Sequence, residues 1–341
     1  MTTYFLRRFA LIIPTFIGVT ILVFFITRLV PGGPVERMIS QANQMQAESG
    51  MSAGSGPEMA NALSATQIQE LKEYYGFDKP IISSYFSWLG KVLTGDLGNS
   101  TRYGDSVLSM IMERMPISTY YGLMSLLLTY LICIPLGVIK AIKHLTHFDN
   151  ITSIIVFIGY AVPGYVVGIA LLIFLGSQLG WFPLGGFVSE GFEELSFFGK
   201  VFDILYHSVL PLSAYMAGSF AVLTFLMKNS LMDNLAADYV RLAMAKGLPF
   251  KKAVLRHAMR NSLIPIATSF GNNISLIITG SFLIEKIFNI DGFGLLGYES
   301  LVERDYPVVM GILVISSLLF LVGNILSDIC VAMVDPRVKF K

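Results

Sequence analysis

Six long apolar runs dominate this chain, at roughly 9–30, 117–139, 151–178, 208–227, 263–284 and 307–333. A helix needs about 20 residues, at ~1.5 Å each, to cross ~30 Å of hydrocarbon. Each run therefore predicts a transmembrane helix. The fourth carries Pro211 and several small residues, and the fifth carries Asn272 and Asn273. A helix bundle tolerates these because neighbouring helices satisfy the freed polar groups. The first run is too long for the core of a signal peptide, and PGGP follows it where a small-x-small cleavage site would stand. It reads as an uncleaved membrane helix.

Basic residues orient these spans. With the N-terminus inside, the inner segments hold Arg7 and Arg8, then Lys140 and Lys143. The third holds Lys228, Arg241, Lys246, Lys251, Lys252, Arg256 and Arg260, and the last holds Arg337, Lys339 and Lys341. The outer loop 179–206 has only Lys200, and 285–306 only Lys286 and Arg304. Both termini are thus expected in the cytoplasm.

Three regions follow: 1–30, the N-terminus and first helix; 31–116, a region on the outer face; and 117–341, the core with the remaining five spans. Region 31–116 is too long for a simple loop. Its stretch 40–66 is rich in Gly, Ser, Ala, Met and Gln and reads as a flexible insertion. Ser64 and Gln67 have capping-box spacing ahead of a short amphipathic helix with Ile68, Leu71 and Tyr75 on one face, closed by Gly76. A second amphipathic piece, 81–93, places Ile81, Tyr85, Trp88, Leu89 and Val92 together. These pieces predict a small cap on the outer membrane face, or an interfacial anchor.

Composition supports a lipid-solvated chain. Apolar residues make up 54% and charged residues 14%, against about 25% charged in soluble domains. The net charge of +1 gives no argument for nucleic acid. Cys133 and Cys330 lie inside apolar runs without CxxC spacing, and the four histidines form no HxxxH or HExxH pair. No metal site is expected. The chain has no Walker A sequence, no GxGxxG before a strand and no GxSxG, so no nucleotide chemistry or acyl transfer of its own is expected.

The inner stretch 228–262 is the most informative polar segment. It reads KNSLMDNLAADYVRLAMAKGLPFKKAVLRHAMRNS. A helix over about 231–246 is expected to end at Gly247, and Pro249 suits the start of a second helix that runs to about Arg260. Two short helices joined by a tight turn would form a rigid unit tethered to two spans. A soluble partner gripping it could push those spans as levers, and Ala243, Ala245 and Gly247 would let its surface approach closely. The alternative is a basic loop that touches only lipid headgroups.

Within it, DYVRLAMAKGLPFKKAVLRHAMRNSLIP (238–265) resembles the EAA loop of ABC importer permeases in their dipeptide/oligopeptide form. In that family the loop holds the helix that sits in a groove of the ATP-hydrolysing subunit. The resemblance carries this coupling role to Asp238, Tyr239, Ala243, Ala245, Lys246 and Gly247. Leu242 and Met244 stand where the family usually has a small or hydroxyl residue and often Arg, and Arg241 replaces the acid of the motif name. Further matches run along the chain in order: RRFALIIPTFIGVTILVFFITRLVPGGP (7–34), GDLGNS (95–100), FLIEKIFNIDGFG (282–294) with Glu285, Phe288, Gly292 and Gly294, ERDYPVVMG (303–311) and DPR (335–337). PGGP and KNSLMDNL are similar to the Yej-type branch, whose substrates include oligopeptides and peptide antibiotics such as microcin C.

The resemblance implies an all-α polytopic membrane protein of the type I importer (MetI-like) fold with a small periplasmic cap. It implies a bacterial inner-membrane subunit without bound cofactor. Its partners would be a second homologous permease, two ATP-binding subunits that hold ATP and Mg, a periplasmic substrate-binding protein and a peptide substrate. Related permeases carry nickel, glutathione or sugars. A self-contained secondary transporter is the competing class; it predicts central acidic residues and an inverted repeat, neither of which stands out. A membrane-bound enzyme would need a nucleophile–base or metal constellation in the spans, and none is visible. Asp328, four residues after Asn324, is expected near the cytoplasmic end of the last helix, in structural hydrogen bonding or a proton relay. Arg28 is placed to snorkel. Glu285 and Lys286 are expected to close the fifth helix at the outer interface, where Glu285 is a candidate gate or binding-protein contact. Asn272 and Asn273 either bond between helices or face the pathway.

Overall fold

The computed structural model describes residues 2–29, 79–278 and 281–334, without the side chains of 2–5, 7, 8, 29, 270–278 and 330–334. The insertion 40–66, the helix expected over 64–76, PGGP, DPR, Cys330 and the side chains of Asn272 and Asn273 lie outside the described residues. Everything regular among the described residues is helical.

The elements are α1 (Thr2–Leu29), α2 (Ile81–Leu93), α3 (Val107–Ile142), α4 (His147–Ala161), α5 (Gly164–Leu171), α6 (Phe197–Ala236), α7 (Asp238–Ala245), α8 (Phe250–Ala253), α9 (Met259–Ile278), α10 (Phe282–Ile287), α11 (Phe293–Val302) and α12 (Tyr306–Val334). Among the residues whose side chains are described, the helices long and apolar enough to cross a membrane are Phe9–Arg28, Val107–Ile142, Phe197–Ala236 and Tyr306–Ile329. The pair His147–Ala161 and Gly164–Gln178 passes the same test only when taken together and is bent by 99°, the geometry of a broken span or a re-entrant loop.

Two expected spans therefore differ from single apolar rods. Run 151–178 breaks at Val162, which is extended (φ −98°, ψ 123°) ahead of Pro163. The proline ring disfavours helical backbone at the preceding residue. Glycine then lets α5 press on α6: a Cβ at Gly164 would lie 2.6 Å from the Ala214 carbonyl oxygen. Run 263–284 divides between α9, which reaches Ile278, and α10, which begins at Phe282 after an extended Ser281 (φ −127°, ψ 102°).

The chain forms two compact units. The first comprises Met1–Phe9, Arg114–Leu296 and Leu318–Lys341. Helix α6 is its hub, packing against α4, α5, α7, α9 and α10. At 40 residues it is about 60 Å long, twice the hydrocarbon thickness. One hydrophobic cluster gathers Tyr121, Leu210, Leu212, Ala214, Ile284, Phe288 and Ile290. Another gathers Cys133, Ala141, Leu223, Met227 and Leu231 with Val240, Ala253, Val254, Ala258 and Ile266.

The second unit comprises Ala10–Glu113 and Gly297–Ser317. Here α2 turns Tyr85 inward, where its hydroxyl pairs with Thr20 at 3.0 Å, while Ile81, expected on the same face, stays exposed. Trp88 lies 5.4 Å from Phe24, and Arg28 lies over the Phe24 ring. Segments 95–100 and 303–305, 205 positions apart, meet in this unit. Asp305 accepts from the Ser100 hydroxyl (2.5 Å) and from the backbone N–H and hydroxyl of Thr101 (3.1 Å each). Arg102 pairs with Glu303.

Candidate functional site

The hairpin α7–α8 projects from the end of α6. Helix α6 runs on to Ala236, so the first helix expected over 231–246 is divided. Ala237 is extended (ψ 146°), and α7 starts at Asp238, whose charge suits the positive end of a helix. At the other end, Leu248 N–H donates to the Ala243 carbonyl (3.1 Å) and Gly247 N–H to the Met244 carbonyl (2.9 Å). These are the two bonds of a Schellman cap. The cap requires a left-handed residue, and Gly247 supplies φ +92°. After Pro249 the chain does not stop near Arg260 as expected. It passes through α8 and a π-helical turn, Val254–Ala258, directly into α9. The hairpin is thus anchored at both ends to long helices.

One face of this hairpin is seated and the other is free. Val240, Ala253, Val254 and Ala258 are fully or nearly fully buried in the cluster shared with α3 and α6. Side-chain bonds fix the base: the Tyr239 hydroxyl donates to Asn234 Oδ1 (2.6 Å), and Asn261 Nδ2 donates to the Tyr239 oxygen (3.0 Å). The Ser230 hydroxyl reaches the Ser262 carbonyl at 3.2 Å. On the open side Tyr239, Leu242, Ala243, Lys246, Gly247, Leu248 and His257 line a depression of about 540 Å³. Leu242 and Leu255 are each 57% exposed, with Phe250 close behind. Arg241, Lys246, Lys251, Lys252, Arg256 and Arg260 are all exposed. Of the six expected coupling residues, four line the depression: Tyr239, Ala243, Lys246 and Gly247. Asp238 and Ala245 are exposed but do not line it. The surface combines exposed apolar side chains with exposed basic ones on a backbone anchored at both ends. It has the chemistry of a protein contact.

A second constellation was missed by counting charges. Lys140 and Lys228 belong to the basic residues that orient the spans as inner segments; Lys140 is fully buried and Lys228 nearly so. Both surround Asp149 in the first turn of α4. Lys228 Nζ donates to Oδ1 and Oδ2 at 2.8 and 2.7 Å. Lys140 Nζ lies 3.1 Å from Oδ1 and donates to the Asp149 carbonyl (3.0 Å), Thr152 Oγ1 and Ser153 Oγ (2.8 Å each). Leu145 N–H and the His144 ring complete the shell at 3.2 Å. The available signal was the order of residues: Thr146 caps α4, and an acid three positions on lies between lysines at two other helix ends.

Glu285 is also not where it was expected. It is wholly buried, which removes it from any contact at the surface of this chain. Ser118 Oγ donates to Oε1 and Leu295 N–H to Oε2, both at 2.7 Å. Tyr215 Oη lies 3.4 Å from Oε1, and Phe293 N–H donates to Ser118 Oγ at 2.7 Å. Burial pushes the carboxyl above the ordinary carboxylate range, opposed by these donors. The two glycines of FLIEKIFNIDGFG make the cradle possible. A Cβ at Gly292 would lie 2.5 Å from Ser118 Oγ and 2.6 Å from the Glu285 carboxyl, and one at Gly294 would lie 2.9 Å from the Phe282 nitrogen. Phe288 is buried in the cluster with Tyr121 and Leu210, and Gly186 N–H donates to its carbonyl at 2.8 Å.

Residues 133–340 match the family described as the binding-protein-dependent transport system inner membrane component. The peptidoglycan transport system permease protein YejB of Agrobacterium fabrum (strain C58) is 39% identical, covering 100% of this chain and 99% of its own length. The inner membrane ABC transporter permease protein YejB of Escherichia coli O157:H7 is 39% identical over the full length of both. The oligopeptide transport system permease protein AppB of Bacillus subtilis (strain 168) is 35% identical, also over the full length of both. Among solved structures, a chain of the MetNI methionine ABC transporter in inward-facing conformations superposes with a TM-score of 0.53 at 14% identity, covering 67% of this chain and 97% of that one.

Proposed function

The chain belongs to the family of binding-protein-dependent transport system inner membrane components, and from that premise we propose that it is the membrane-spanning permease subunit of an ATP-driven peptide importer. Full-length relatives named for peptidoglycan, oligopeptide and dipeptide transport support the substrate class. The observation that carries the mechanism is the hairpin α7–α8, exposed on one face and locked into α3, α6 and α9 on the other. Two ATP-binding subunits grip such hairpins, one on this chain and one on a second, homologous permease. Tyr239, Ala243, Lys246 and Gly247 form the contact floor, with Asp238 and Ala245 at its edge. ATP and Mg stay on those partners. A substrate-binding protein delivers peptide to region 31–116 on the opposite membrane face, and both termini share the ATPase side.

Only interactions that differ between inward- and outward-facing states can drive the change. ATP closes the two ATPases, the hairpins move with them, and α6 and α9 carry that displacement into the bundle. Gly247 keeps the hairpin tip free of side chain, so a partner backbone can approach it.

The test is gentle extraction of a tagged chain from native membranes, with copurifying proteins identified by mass spectrometry. Recovery of a second permease and ATP-binding subunits is expected, with ATP hydrolysis stimulated by peptides, including microcin C-type antibiotics, in the presence of the binding protein. Gly247→Asp should abolish that stimulation. Recovery of the chain alone in several mild detergents, with transport intact in Gly247→Asp, would replace this reading with a self-contained carrier.

A further inference from the structure

The Lys140–Asp149–Lys228 cluster sits beside the seat of the hairpin. Lys228 lies next to Met227 and three residues before Leu231, and Lys140 adjoins Ala141; all three neighbours belong to the cluster that buries Val240, Ala253, Val254 and Ala258. Asp149 starts α4, Lys140 ends α3, and Lys228 lies near the end of α6. One carboxylate thus ties three helices at the level where the hairpin is rooted. Two cations against one carboxylate give the arrangement an excess positive charge, which hydroxyls and a carbonyl hold through Lys140. Apolar packing would tie these helices as firmly, since replacing buried ion pairs by apolar side chains often preserves stability. Ion pairs add direction: the two short bonds from Lys228 fix α6 along its axis relative to α4.

We infer that Lys228, held by Asp149, is a positioning residue for energy coupling. It clamps the end of α6 to α3 and α4, so that displacement of the hairpin moves these helices together and is not absorbed by bending of α6. The inference rests on the proposed role of the hairpin. It predicts that the clasp sets how much transport each ATP produces, separately from assembly and from folding.

The experiment uses the assembled transporter, with its second permease, ATPases and binding protein, in proteoliposomes. Lys228→Met removes one cation and leaves Asp149 paired with Lys140. Expected results are normal copurification of the ATPases, an unchanged melting temperature, and peptide transported per ATP hydrolysed reduced about ten-fold. Lys228→Arg should restore most of that ratio. An unchanged ratio in an assembled Lys228→Met transporter overturns the inference while leaving the importer reading intact. If Lys228→Met does not assemble, Lys228→Gln, which can keep a neutral hydrogen bond to Asp149 and leaves that carboxylate paired with Lys140, is measured in the same way. Failure of both to assemble also overturns it, because the cluster is then a folding requirement. Absence of ATPases from the wild-type complex counts against the importer reading itself.

Discussion

Two buried carboxylates in the same compact unit are neutralised in different ways. Asp149 is met by charge: two lysine ammonium groups lie within 3.1 Å of its oxygens. Glu285 is met by dipoles: a serine hydroxyl, a tyrosine hydroxyl and the backbone N–H at the start of α11. The first solution fails when the one carboxylate that both lysines share is lost, since buried charges without a partner are costly. The second depends on shape, because hydroxyls and N–H groups must converge from fixed backbone. Sequence therefore constrains them differently: acids and bases at three helix ends in one case, glycines at fixed spacing in the other.

The largest effect should come from breaking the charged solution. Asp149→Asn leaves two buried lysines without a counter-charge and is expected to destabilise the protein by about 3–5 kcal/mol, read as a lower melting temperature in detergent. Combining it with Lys140→Met and Lys228→Met should recover most of that loss. If the triple variant were no more stable than Asp149→Asn, charge would not be the cause. Next comes Gly292→Ala, whose methyl group would overlap both Ser118 and Glu285. Overpacking of this kind costs about 1–3 kcal/mol, and the same melt measures it. Gly294→Ala should behave alike, through contact with the backbone of Phe282.

Glu285→Gln should cost less, about 1 kcal/mol, because the amide fills the same space and loses only part of the acceptor set. The pH response sharpens the contrast. The Glu285 carboxyl titrates above its unfolded value. The stability it contributes is therefore full below the unfolded carboxylate range and is lost as pH rises through the raised folded value. Melting temperature against pH should show that loss in the wild type and not in Glu285→Gln; matching curves would contradict it. The smallest effect tests a glycine away from both carboxylates. At Gly247 no atom lies within 4 Å of an added Cβ, so only the left-handed backbone opposes a side chain. Gly247→Ala should cost about 1 kcal/mol, and Gly247→Asn less, measured as local hydrogen exchange at Leu248 N–H.

Much of this was legible because its causes are local. The hydropathy runs mark the helices that cross, and the Gly-Leu-Pro turn marks the hairpin, since a left-handed cap and a proline stop leave the backbone few options. The amphipathic pattern of 81–93 located α2 to the residue. Glu285 was misplaced because a carboxylate next to an apolar run looks like an interface residue until its partner Ser118, 167 positions away, is known. The pairing of Lys140 and Lys228 with Asp149 was hidden for the same reason: counting basic residues by segment orients the spans and says nothing of which side chains are buried.

Sequence by itself determined the all-helical membrane class, the positions of the crossing helices, the hairpin turn and the family, because periodicity, turn chemistry and ordered motifs act over a few residues. Tertiary structure decided which charges are buried, that 151–178 turns through 99° rather than crossing straight, and that Gly292 and Gly294 shape a carboxylate cradle. Those outcomes depend on packing between segments far apart in the chain, where the free energy of a buried group is fixed by the partners that reach it.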